Sequence, residues 1–285
     1  MDRRRWAIGG AVVAILFVGI TVRSCRPRGR SSDWFGGSWL PRSWFGTVDH
    51  DHRPADDIPD AETVAWCAEG LVPVAGGGCF AAPAAGADPW PLVIYLHGIF
   101  DPAAASEEMS RQQRVAAIAT AKGFAVLALR GHVGECSAPE YASRICWPSN
   151  ERNEDGGPGF VAEWKTPLAL AAARGGRGRR YVLGFSNGGY FAGLLAERGW
   201  FEANAFVVAR GGPVQPVKAS GRKAPMLLTL SEDDPSHDEM LKLDEGLTRD
   251  EWPHEKFVAH GGHALPDADI ESAVAFFGQQ ELLTK

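Results

Sequence analysis

Six short apolar runs recur along this chain: PLVIYLH (91–97), FAVLALR (124–130), RYVLGF (180–185), AFVVAR (205–210), PMLLTL (225–230) and EKFVAH (255–260). Each is only a few residues long, the length and character of a strand buried on both faces. Helical patterns fill the intervals, over 105–122, 161–174, 187–198, 237–247 and 267–280. Strands alternating with helices predict an α/β fold, with a mostly parallel central sheet and helices on both faces. The stretch around Cys67 and Cys79 is predicted to add one or two antiparallel edge strands. The domain built this way occupies 61–285.

Composition agrees with one large domain. The chain has 285 residues, 45% hydrophobic and 22% charged, enough for a substantial core. A net charge of −6 argues against broad nucleic-acid binding. The basic residues that do cluster, Arg3, Arg4, Arg5, Arg23, Arg26, Arg28 and Arg30, flank WAIGGAVVAILFVGITV (6–22), which carries no charge. This is a basic region followed by an apolar one, slightly short of the roughly 20 residues of a spanning helix. Residues 1–25 are therefore predicted to be a signal peptide or an N-terminal membrane anchor, with a membrane tether through 6–22. Cys25 in VRSC resembles a degraded lipobox in which Arg23 is out of place.

Residues 26–60 read as a linker rich in Gly, Ser, Pro and Arg that turns acidic toward its end. Its Trp34, Trp39 and Trp44 suit a wet–dry boundary. Its Asp49, His50, Asp51 and His52 have metal-ligand chemistry, but nothing in a solvated linker fixes their geometry, so no metal is assigned. The chain is predicted to be exported, and to be periplasmic, membrane-anchored or secreted. In that setting the even set Cys67, Cys79, Cys136 and Cys146 predicts two short-range disulfides, Cys67–Cys79 and Cys136–Cys146. No C-x-x-C spacing supports zinc. The second pair lies in a connection from 131 to 160, long for a βα loop and predicted to form an ordered wall or lid.

Within GFSNGG, Ser186 follows a strand and precedes a helix. In an open α/β sheet that is the carboxyl edge, where ligands bind. A serine on so sharp a turn needs small neighbours two positions away on each side, and Gly184 and Gly188 supply them. Gly189 and Ala192 would let the helix pack closely on the sheet. The bare G-x-S-x-G pattern is common by chance, and its strand–turn–helix context gives it weight. A serine hydroxyl needs a base, and the base needs an orienting acid. TLSEDDPSHDE and FVAHGGHALPDAD, after the last two strands, offer both in the order Ser, Asp, His.

With YLHGIF, GFSNGG and SEDDPSH…GGHALP in that order, the segment from about 91 to the end resembles the α/β-hydrolases. It is similar to their esterase, dienelactone hydrolase and polyhydroxyalkanoate depolymerase-like branches. The resemblance implies Ser186 as nucleophile, Asp234 as acid and His263 as base, with Asp233, Glu232 and His260 as the neighbouring rivals. It implies an oxyanion hole from the backbone N–H groups of Asn187 and Ile99, with Phe100 as rival for Ile99. His97 matches a structural histidine that supports the oxyanion loop. The implied reaction is hydrolysis of a small-molecule or polymeric ester through an acyl-enzyme, requiring no cofactor or metal. A serine peptidase on the same fold and an inactive hydrolase-fold binding module are the alternatives. Trp147, Trp164, Phe100 and Tyr190 are candidates either for an acyl pocket or for the core. The absence of an obvious cap outside 131–160 suggests an open cleft.

Overall fold

The computed structural model describes residues 66–84, 89–102, 106–136, 138–149, 156–212 and 222–283. The apolar run at 6–22, Cys25, the linker at 26–60 with its tryptophans and its Asp/His cluster, and the start of the domain at 61 lie outside the described residues. Among the described residues no helix is long and apolar enough to cross a membrane.

The elements in chain order are β1 (Val72–Val74), β2 (Gly78–Ala81), β3 (Leu92–Leu96), α1 (Ser106–Ala121), β4 (Ala125–Leu129), β5 (His132–Val133), β6 (Ile145–Cys146), α2 (Gly157–Glu163) and α3 (Lys165–Ala173). They continue with β7 (Arg180–Phe185), α4 (Asn187–Glu197), β8 (Ala205–Ala209), β9 (Met226–Ser231), α5 (His237–Arg249), β10 (His254–Ala259) and α6 (Asp267–Leu282). Eight strands form one sheet in the order β1-β2-β4-β3-β7-β8-β9-β10. β1 and β2 form the antiparallel edge, and every pairing from β4 to β10 is parallel. β4 lies on one side of β3 and β7 on the other, so the winding reverses at β3. The crevice beyond the carboxyl ends of β3 and β7 is the place such a sheet offers a ligand.

The period of two along each strand divides the core. Val93, Tyr95, Val126, Ala128, Tyr181, Leu183 and Val207 face one side, where they pack with Val115 and Ala119 of α1 and Ile270, Phe276 and Phe277 of α6. Ile94, Leu96, Val182, Phe206, Val208 and Leu228 face the other, against Phe191 and Leu195 of α4 and Leu243 and Leu247 of α5. The sheet is thus covered on both faces, as continuously apolar strands require.

Two expectations are corrected. The helix predicted over 161–174 is divided into α2 and α3 at Trp164. Pro167 explains the break: its ring would meet the carbonyl four residues back in a continuous helix, but it is tolerated in the first turn of a new one. EKFVAH is not buried on both faces. It lies in β10, the edge strand beyond β9, with Glu255, Lys256 and Val258 exposed, and its charges guard the open edge.

Both disulfides join the predicted partners, with Cα–Cα distances of 5.4 Å for Cys67–Cys79 and 5.2 Å for Cys136–Cys146. The first staples the segment before β1 to β2. The second closes the small hairpin of β5 and β6, which pairs His132 with Cys146 and Val133 with Ile145. The 131–160 connection therefore contains an ordered hairpin, anchored to the loop after β3 by a bridge between Phe100 and Ile145.

Candidate active site

Ser186 stands between β7 and α4 with φ 52° and ψ −119°. A non-glycine residue rarely occupies that region, and the turn points its side chain away from the strand. The neighbouring glycines are required by space. A Cβ on Gly184 would run into the carbonyl of Gly188, and one on Gly188 would run into the carbonyls of Leu96 and His97. Gly189 meets the carbonyl of Gly211 in the same way, so α4 rests directly on the sheet ends.

Ser186 Oγ lies 2.8 Å from His263 Nε2. On the far side of the ring, Nδ1 lies 3.0 Å from Asp234 Oδ1 and 3.1 Å from Oδ2. Asp234 is buried, and its Oδ1 also accepts hydrogen bonds from the Ser236 amide at 2.7 Å and the Ser236 hydroxyl at 2.8 Å. Burial alone would raise the pKa of this carboxyl. The hydrogen bond and charge of His263, together with the two bonds from Ser236, outweigh it and hold Asp234 below its ordinary value. The carboxylate is thus ionised at neutral pH and orients the imidazole with Nδ1 protonated, leaving Nε2 free to accept from the serine. The rivals stand apart: Asp233, Glu232 and His260 are exposed. The imidazole is also placed by Phe185, whose ring centroid is 5.6 Å from that of His263, and the Arg111 guanidinium lies 5.0 Å from the same phenyl ring.

The loop after β3, predicted to supply an oxyanion donor, abuts the serine. A Cβ built on Gly98 would lie 3.2 Å from the Cβ of Ser186, so the backbone at 98–99 passes directly beside it. Phe100 N–H is committed to the Ile145 carbonyl at 3.4 Å, whereas Ile99 N–H has no backbone acceptor among the described residues. Asn187 N–H belongs to the first turn of α4, where amides lack intrahelical acceptors and form the positive end of the helix dipole.

His97 holds this loop in shape. It is fully buried, with Nδ1 2.6 Å from the Gly98 carbonyl, and its Nε2 accepts the Gly131 amide at 2.8 Å. An Nε2 that accepts fixes the proton on Nδ1, which donates to Gly98. Burial lowers its pKa to about 3, so the ring is neutral throughout the physiological range.

The side chain of Asn187 has a role that the sequence did not signal. Its Oδ1 accepts from the Trp147 amide at 2.7 Å. Its Nδ2 donates to the Trp147 carbonyl at 3.3 Å and to Ser149 Oγ at 2.6 Å. The residue after the serine therefore ties the segment just beyond the Cys136–Cys146 disulfide to the turn, 40 residues away in sequence. Trp147 itself is wholly buried, stacks on Phe191 and donates its indole N–H to the His97 carbonyl at 3.0 Å. Trp164 packs edge-on to Phe191 and Phe201, and Phe100 stacks on Trp66. Tyr190 is buried and donates to Glu239. Of the two readings open for these four aromatic residues, core packing describes them.

Sequence reasoning also missed Arg210 and Asp269, both fully buried. Arg210 Nε donates to Asp269 Oδ2 at 2.8 Å and Nη2 to Oδ1 at 3.1 Å, while Nη1 donates to the Gly262 carbonyl at 2.9 Å. The available signals were an arginine closing the otherwise apolar run AFVVAR and an aspartate on the apolar face of the last helix.

Compared by sequence, the chain matches no family model and no curated protein. In structure it is similar to esterase PE8, with a TM-score of 0.51 and 18% identity over 71% of this chain and 98% of that one. It is similar to SOBER1 of Arabidopsis thaliana, with a TM-score of 0.51 and 14% identity over 67% of this chain and 99% of that one. It is also similar to a carboxylesterase from Mesorhizobium loti, with a TM-score of 0.50 and 15% identity over 74% of this chain and 99% of that one. The order of the sheet, the positive-φ serine between β7 and α4 and these likenesses lead to one conclusion: the chain has the α/β-hydrolase fold.

Proposed function

We propose that this chain is an exported serine hydrolase that cleaves carboxylic esters. The observation that carries the reading is the unbroken hydrogen-bonded line from Ser186 Oγ through both ring nitrogens of His263 to Asp234. Ser186 attacks the ester carbonyl as its proton passes to His263 Nε2. Asp234 stabilises the imidazolium that forms, and the N–H groups of Asn187 and Ile99 hold the oxyanion. Collapse of the tetrahedral intermediate breaks the ester C–O bond, and His263 returns the proton to the departing alkoxide. A water, activated by the same Nε2, then hydrolyses the acyl-enzyme to the acid and the free serine.

Ester rather than amide cleavage is favoured by the structural neighbours, a carboxylesterase and an esterase among them. Export is supported by the two disulfides, which persist in oxidising compartments. The apolar run at 6–22 would then direct the chain to the membrane, as signal or tether.

The test is labelling of the full chain with a fluorophosphonate, with Ser186→Ala as control, followed by a panel of short- and long-chain acyl esters and peptide amides. Labelling abolished in the control, with turnover of esters, is expected. Amide turnover in preference to esters would make the protein a peptidase. A folded wild type that does not label would overturn the hydrolase reading in favour of a binding module.

A further inference from the structure

We propose that the buried Arg210–Asp269 pair is a positioning device for His263, setting the imidazole where Ser186 and Asp234 need it. The inference rests on the triad reading given above.

The turn that carries His263 has little stiffness of its own. Gly261 and Gly262 precede it with φ 112° and 61°, so two residues with the widest backbone freedom lead directly into the imidazole. A tight turn then forms across the histidine, closed by the Ala264 amide on the Gly262 carbonyl at 3.0 Å. That same carbonyl receives Arg210 Nη1 at 2.9 Å. The acceptor that defines the histidine turn is thus fixed from inside the protein by a guanidinium that is itself fixed.

Arg210 has no freedom to move. It is 0% exposed, grips Asp269 through two bonds, and follows β8 with φ 56°, its own amide held by the Thr229 carbonyl at 3.0 Å. Asp269 is held in turn by Thr229 Oγ1 at 2.9 Å. The arrangement connects the ends of β8 and β9 and the first turn of α6 to one carbonyl in the histidine loop. The other flank of the loop is held from α1, where Arg114 Nη1 donates to the Leu265 carbonyl at 2.8 Å and to Asp267 at 2.9 Å. Arg114 is partly exposed, so the solvent-free anchor is Arg210.

Stability alone does not account for this pair. A buried ion pair can often be replaced by well-packed apolar side chains of similar volume without loss of stability. Here the arginine also sits in a backbone region that non-glycine residues avoid. What an apolar pair cannot supply is the third bond, from Nη1 to Gly262. That bond reaches the residue preceding the imidazole, and it makes Arg210 a positioning residue that acts through the backbone of the histidine turn.

The test compares the wild type with Arg210→Lys and with the paired variant Arg210→Met/Asp269→Leu, which restores an apolar core. The measurements are thermal unfolding, the low-field proton resonance of His263 Nδ1–H bound to a carboxylate, the rate of fluorophosphonate labelling, and kcat and KM on a soluble ester. The paired variant is expected to fold, to lose or shift the low-field resonance, and to label on the order of 10²-fold more slowly with KM unchanged, the scale of a misplacement of about 1 Å. Arg210→Lys, which keeps the charge but offers no fork to span Asp269 and Gly262 together, is expected to fall in the same direction. Wild-type resonance and wild-type labelling in the folded paired variant would overturn the proposal. If that variant does not fold, the same outcome in Arg210→Lys overturns it. A wild type that shows the resonance but does not label would sink the hydrolase reading instead, and the variants would still report His263 placement through the resonance.

Discussion

Acid should destabilise this protein through a residue that takes no part in proton transfer. His97 is fully buried, and both ring nitrogens are engaged: Nδ1–H donates to Gly98, and Nε2 accepts from Gly131. A second proton on Nε2 would face the Gly131 N–H donor with no acceptor available. Burial accordingly pushes the folded pKa down to about 3 from its ordinary value of 6.5. With the folded value depressed, the contribution of the neutral ring to stability is complete above pH 6.5. It is lost as the pH falls toward 3, because the unfolded chain takes up a proton the folded chain refuses. Between pH 7 and pH 5 the expected loss is about 2 kcal/mol, at roughly 1.4 kcal/mol per unit over the part of that interval below the unfolded pKa. The perturbation is His97→Gln, whose amide oxygen can still accept from Gly131 but does not titrate. Urea midpoints of wild type and variant at both pH values give a difference of differences in which the other histidines cancel. The wild type should lose about 2 kcal/mol more than the variant over this range. Equal losses in the two proteins would refute the burial of a neutral His97 behind the loop at 98–100.

Three further outcomes follow from the geometry. Gly188→Ala would drive a methyl group into the carbonyls of Leu96 and His97, which are backbone atoms and cannot turn aside; thermal unfolding should report a loss of about 3 kcal/mol or more, or no folded protein. Asp234→Asn keeps the shape but removes the charge that selects the Nδ1–H form of His263, so kcat should fall on the order of 10⁴-fold with little change in unfolding temperature; wild-type kcat would exclude Asp234 as the acid. Asn187→Ala leaves the buried Trp147 amide without its acceptor, which should cost about 2 kcal/mol and speed hydrogen exchange at that amide, both readable in one native-state exchange experiment.

Much of the scaffold could be read from the chain because its signals are local. A buried parallel strand must be apolar on both sides, and the five runs from PLVIYLH to PMLLTL show it within a few residues. The serine turn is equally local: its strained φ and the two glycines that permit it span only 184–188. Asp234 and His263 lie far from Ser186 in sequence, yet each comes within a few residues of a strand end. In a parallel sheet those ends gather at one edge, so strand order brings both segments near Ser186, while the family resemblance singles out these two residues from their neighbours. Where a short apolar stretch is set against neighbouring charges, the reading failed. The FVA of EKFVAH reads as part of a buried strand, but Glu255 and Lys256 beside it mark the exposed edge position that β10 takes.

The residues that sequence did not reveal share one property. Each acts through a bond whose other end is fixed by tertiary packing. Asn187 is named as a backbone donor through the family resemblance, but its amide side chain is meaningful only once Trp147 and Ser149 arrive just beyond Cys146. Arg210 is the stronger case. An isolated arginine at the end of an apolar strand ordinarily marks where the chain emerges into water, and nothing in AFVVAR says otherwise. Its partner is 59 residues later on a helix whose apolar face would exclude an unpaired carboxylate. Two charged groups, each improbable inside the protein alone, become stable there only together. That mutual dependence makes the pair invisible to a reading that weighs residues one at a time, and it leaves Arg210 with a guanidinium nitrogen fixed in space and directed at the carbonyl beside His263.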